Sequence, residues 1–98
     1  MPKMPILSNE AFSDLEDIWS HIAADSVRNA DGFIDQLYRK CVEISELDAI
    51  GRKRDELSPG LLSLSYKKYV IFFLRTKDRV EIVRILHGSR DLQKHFDQ

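Results

Sequence analysis

The chain has 98 residues, 43% of them hydrophobic and 32% charged, with a formal net charge of −1. That length is expected to make one domain, residues 1–98, and it buries about two-thirds of the surface the unfolded chain exposes. The composition excludes a disordered chain, and no apolar run approaches the roughly 20 residues that a membrane helix needs. The opening stretch "MPKMPILSNE" holds no apolar core long enough for a signal peptide, so a cytoplasmic protein is expected. Cys41 is the only cysteine, which excludes an intramolecular disulfide.

The small net charge hides an asymmetry. Residues 1–50 hold four Lys/Arg against ten Asp/Glu, and residues 51–98 hold eleven against six. Such a split marks either a basic binding face on an acidic protein or two solvated faces that happen to differ.

Residues 5–8, "PILS", read as a short first strand. Ser8 or Asn9 can cap the helix that follows. In it Ala11, Leu15, Ile18, Trp19 and Ile22 recur at helical spacing, and the helix should end near Ala24. Asp25 or Ser26 can cap a second helix, whose stripe runs through Ala30, Phe33, Ile34, Leu37, Tyr38, Cys41, Ile44 and Leu47. Gly32 interrupts that stripe at a cost of about 1 kcal/mol against alanine, which a close helix crossing would explain. Gly51 is expected to stop the helix.

"GRKRDELSPG" reads as a polar loop with a Ser-Pro-Gly turn. Beyond it the period falls to two. Leu62, Leu64 and Tyr66 alternate with serines, "YVIFFLR" is apolar on both faces like a central strand, and "VEIVRIL" is the last strand. Gly88 follows, and Asp91 can cap a short helix to Phe96. The pattern predicts an α+β fold, β-α-α-β-β-β-α, with an αα-hairpin on one face of a small antiparallel sheet.

Arg84 lies within the last strand, with Val80, Ile82 and Leu86 on its face by simple alternation. A charge there is either paired with a helix carboxylate or forms the basic centre of a concave face. His87 is a strand-end residue or a base. Asp91 and His95 share a helical face, but no third ligand with clear spacing joins them, so no metal is expected. His21 reads as a surface residue. Arg52, Lys53 and Arg54 form a short basic run diluted by Asp55 and Glu56. Cys41, Trp19, Phe33, Tyr38, Phe72 and Phe73 read as packing residues.

The stretches "DLEDIW", "GRKRDEL", "YVIFF" and "VEIVRILHGSRDL" together resemble the RelE/ParE toxin superfamily of type II toxin–antitoxin systems, over nearly the whole chain. The resemblance implies a neutralising antitoxin of the ParD-like, ribbon-helix-helix kind. One branch, RelE-like, cleaves mRNA on the ribosome with basic residues and, commonly, a C-terminal tyrosine. Here the matching positions carry Ser89 and Phe96, and the isoelectric point is near 6.3, low for an RNA-binding surface. The chain is therefore more similar to the ParE-like branch. That branch implies DNA gyrase as target, no catalysis, no cofactor, and no direct specific nucleic-acid or membrane binding. A ribosome-dependent nuclease, or a degenerate toxin that only binds antitoxin, are the alternatives. Candidate target or partner contacts are Arg52, Arg54, Arg84, His87, Arg90 and Phe96. Candidate antitoxin-groove residues are Tyr69, Ile71, Phe72, Phe73 and Leu74, on the reading that the apolar strand leaves area for a partner. Arg90 is expected to be exposed on the toxic surface, beside a turn sharpened by Gly88.

Overall fold

The computed structural model describes residues 4–47, 49–89 and 96. In chain order the elements are β1 (Ile6–Leu7), α1 (Asn9–Ala23), α2 (Val27–Glu46), β2 (Arg52–Lys53), β3 (Leu62–Tyr66), β4 (Tyr69–Arg75) and β5 (Val80–His87). They form an α+β fold with a five-stranded sheet in the order β1-β5-β4-β3-β2. Strands β2 to β5 are a meander of antiparallel neighbours. β1 joins parallel to β5, with Ile6 opposite Glu81 and Leu7 opposite Ile82, so the sheet is mixed. The predicted short helix at 91–96 lies outside the described residues except for Phe96.

Of the possible caps, the chain uses two serines. Ser8 Oγ accepts from the Ala11 N–H at 3.0 Å and Ser26 Oγ accepts from Asn29 N–H at 3.1 Å. The helices pack on one face of the sheet. Ala11, Ile18, Leu37, Cys41 and Ile44 meet Ile71, Phe73, Val80, Ile82 and Ile85 in the main core.

Strand alternation sends Val70 and Phe72 to the opposite face. There a second cluster forms with Leu57, Leu61 and Leu86, and Leu74, Val83 and Phe96 pack against it. The stretch read as a polar loop thus contains an edge strand, Arg52–Lys53, and Leu57, which with Leu61 just after it covers the far side of the sheet.

Two glycine readings change. α2 ends at Glu46, before Gly51. Its last turn contains no basic residue, and Arg75 reaches in from β4 to donate to the carbonyls of Ile44 (3.1 Å) and Ile50 (3.5 Å). Gly51 instead has φ +116° and lies so close to Phe73 that a Cβ would sit 2.6 Å from the ring. Gly32 has nothing within 4 Å of where its Cβ would be, so no close helix crossing requires it.

Strict alternation also fails in β5. Phe72 faces Arg84 but Phe73 faces Ile82, which leaves an irregularity at this point. Val80, Ile82 and Ile85 therefore all join the helix-side core, while Leu86 lies in the other cluster. Trp19 and Tyr38, expected to pack inside, are each 36% exposed, and the Trp19 indole N–H donates to Asp31 at 2.8 Å.

Candidate functional site at the end of the last strand

β1 is only two residues long because Ser8 leaves the strand to cap α1. Beyond Ile82, β5 therefore has no strand on that side, and its backbone groups need other partners. Ser8 supplies the first two: its N–H donates to Ile82 O at 3.0 Å and its hydroxyl to Val83 O at 2.8 Å. Asp14, six residues further along the chain in α1, supplies the next, accepting the Ile85 N–H at 2.9 Å.

The same carboxylate holds Arg84. Nε donates to one oxygen at 2.9 Å and Nη2 to the other at 2.8 Å, a bidentate pair. Of the two sequence readings of Arg84, the ion pair to a helix carboxylate is the one observed. The hydrogen bonds Arg84 donates to Asp14 raise its pKa, against the opposing effect of burial.

At the strand end, His87 faces Tyr69 across the sheet, with an edge-on ring contact of 5.3 Å. The Ser89 N–H lies 3.1 Å from His87 Nδ1 and Ser89 Oγ lies 2.7 Å from it. A backbone N–H can only donate, so Nδ1 is the acceptor and a neutral ring carries its proton on Nε2. Gly88 donates to Lys68 O at 2.8 Å without a left-handed φ, so the turn does not require glycine. Beside it, between α1 and the ends of β4 and β5, opens a cavity of about 500 Å³.

The other candidates are scattered. Arg52 is exposed on the edge strand, paired with Ser63. Arg54 is engaged: Nε donates to Glu56 at 2.8 Å, Nη1 to Ser63 Oγ at 3.3 Å, and its guanidinium lies 5.6 Å from the Phe72 ring. That hydrogen bond holds the Glu56 carboxyl below its usual range. Phe96 packs edge-on against Phe72 at 4.9 Å. Arg90, Asp91 and His95 lie outside the described residues. Of the groove candidates, Ile71, Phe72 and Phe73 are 0% exposed, and only Tyr69 and Leu74 are accessible to a partner. The run is apolar on both faces because both faces are covered, by the helices on one side and by Leu57, Leu61 and Phe96 on the other.

Sequence reasoning missed Asp14 as the partner of Arg84. The available signal was an acidic residue one turn from Ala11 and Ile18 on the buried stripe of α1. Among the described residues, no three of His, Cys, Asp and Glu converge as metal ligands. None of the described helices is long and apolar enough to cross a membrane.

Residues 6–92 match the family described as the ParE toxin of type II toxin–antitoxin system, parDE. This chain belongs to the ParE toxin family. Its sequence is 31% identical over 91 residues to Toxin ParE1 of Caulobacter vibrioides, covering 92% of this chain and 94% of that protein. The ParE-type fold is also seen in a solved structure described as a chromosomal ParDE TA system from P. aeruginosa. The TM-score is 0.73 at 18% identity, over 88% of this chain and 96% of the other. As a ParE-family member, the chain is the toxin component of a type II toxin–antitoxin system.

Proposed function

We propose that this toxin arrests growth in the cytoplasm by poisoning DNA gyrase, without catalysis of its own, and is neutralised by a cognate ParD-like antitoxin. The observation that carries the reading is the use to which the nuclease-like side chains are put. Arg84, the cation that would stabilise a developing phosphate charge, is committed to Asp14. Phe96, at the position where RelE-like toxins commonly carry tyrosine, has no proton to give and is packed on Phe72. Ser89 is tied to His87. What remains for function is a binding surface: Arg52, the turn after β5, and the exposed apolar residues of the helical hairpin. Tyr69 and Leu74, with Phe12 and Tyr38 on the helices, offer an antitoxin segment apolar contacts.

Purified toxin is added to gyrase, ATP and plasmid. The expected result is accumulation of linear DNA, suppressed by the antitoxin. Intact supercoiling and no linear product would remove gyrase as the target. Discrete cuts in a translated message on ribosomes would instead favour nuclease activity.

A further inference from the structure

The cavity beside the turn has no role in the ion pair or in the strand pairing described above. Ile18 and Ile85 give its lining an apolar part, and Tyr69 and His87 an aromatic one. Asp17 and His21, one turn apart on α1 and both exposed, also line it. Among the described residues, no lysine or arginine lines it. Asp14 reaches the cavity with its charge already matched by Arg84. The Asp17 carboxylate has no hydrogen bond or ion pair among the described residues, and neither does the His21 imidazole.

Among the described lining residues, the Asp17 carboxylate is therefore the one anionic group without a cationic partner. An anion is disfavoured, and a cation gains a charge-assisted hydrogen bond. The aromatic and aliphatic parts of the lining select among cations. An ammonium ion is compact and strongly hydrated, whereas a guanidinium is planar, weakly hydrated and lies flat against rings and methylenes. Its five donors also suit the acceptors in the lining, the two Asp17 oxygens and the Tyr69 hydroxyl oxygen.

We infer that the cavity between α1 and the ends of β4 and β5 is a binding site for a guanidinium group, held by Asp17 against Tyr69 and His87. The group is either an arginine side chain presented by a protein or a free small guanidinium compound.

The test follows amide chemical shifts of the full chain during titration with N-acetyl-arginine amide, its citrulline and lysine counterparts, and a short peptide with a central arginine. Saturable shifts at Ile18, Ile85 and His87 are expected with the arginine probes. The neutral, nearly isosteric citrulline probe should leave them unmoved, and lysine should bind several-fold more weakly. Asp17→Asn should weaken arginine binding about tenfold or more. Glu16→Gln, an exposed charge on the same helix outside the cavity lining, should leave it unchanged. Tighter binding of the peptide than of the free amide would identify a protein side chain as the source, and equal binding a small compound. Absence of saturation, equal binding of citrulline, or equal weakening by the two substitutions would overturn the assignment.

Discussion

Asp14 is the residue on which the most backbone and charge depends. It is buried, accepts three hydrogen bonds, and closes the gap where β1 ends. Asp14→Ala leaves a half-buried guanidinium and a buried N–H without partners, and should destabilise the fold by about 3 kcal/mol. Arg84→Ala leaves the carboxylate with the Ile85 N–H and should cost less, about 2 kcal/mol. Denaturant titration of both single variants and the double variant measures the pair, and the coupling should exceed about 1 kcal/mol. Strictly additive effects would mean that the two groups act independently.

Cys41 gives a second test at this scale. It is 1% exposed in the core, and burial pushes its thiol from 9.0 up to about 12. In the unfolded chain the thiol ionises above 9.0, while the folded chain resists until about 12. The stability linked to this residue is therefore complete below pH 9.0 and is lost as pH rises toward about 12, by up to about 4 kcal/mol in total. Cys41→Ala should lower stability at neutral pH through the cavity it leaves. It should also remove this alkaline slope, read as the difference between the two stability curves.

At the scale of elements, the two contrasting glycines separate what a helix tolerates from what a close approach demands. Gly51→Ala forces a Cβ against the buried Phe73 ring at a left-handed φ, and should cost about 2–3 kcal/mol by thermal or denaturant unfolding. Gly32→Ala adds a methyl group to open space on an exposed helical position, and should gain about 1 kcal/mol. The opposite order would show that the α2–β2 connection is free to shift away from Phe73. The irregularity in β5 acts at the same scale. It lets Ile82 and Ile85 both enter the main core, and with Arg84 between them the guanidinium reaches the strand side left open by β1.

The charge asymmetry becomes an arrangement in space at the scale of the whole molecule. Residues 9–46, the helical hairpin, hold nine Asp/Glu against three Lys/Arg, and residues 49–89, the sheet and its loops, hold four against nine. The helices thus form an acidic layer and the sheet a basic one. An antitoxin with an acidic tail should be steered to the sheet, and its association rate should fall roughly tenfold from low to physiological salt. Stopped-flow rates across ionic strength measure this, and Arg52→Ala with Lys53→Ala should flatten the dependence. Rates independent of salt would show that the basic layer plays no part in the encounter.

Hydrophobic period and cap residues alone determined the two helices, the three long strands and the α+β class, because each signal is local: a 3.6 or a 2.0 repeat and a serine before it. The character of the chain as a toxin of this family was equally legible, in stretches such as "VEIVRILHGSRDL". The tertiary structure decided matters that depend on residues distant in sequence. Arg84 and Asp14 are 70 residues apart, and no periodicity links them. The apolar run "YVIFFL" gives no sign of whether its second face meets a partner or its own chain. Leu57 and Phe96 supply part of that cover from segments whose local pattern is polar, and Leu61 adds to it from just before β3. Burial on both faces needs two layers that converge in space, and their convergence is a property of the folded chain.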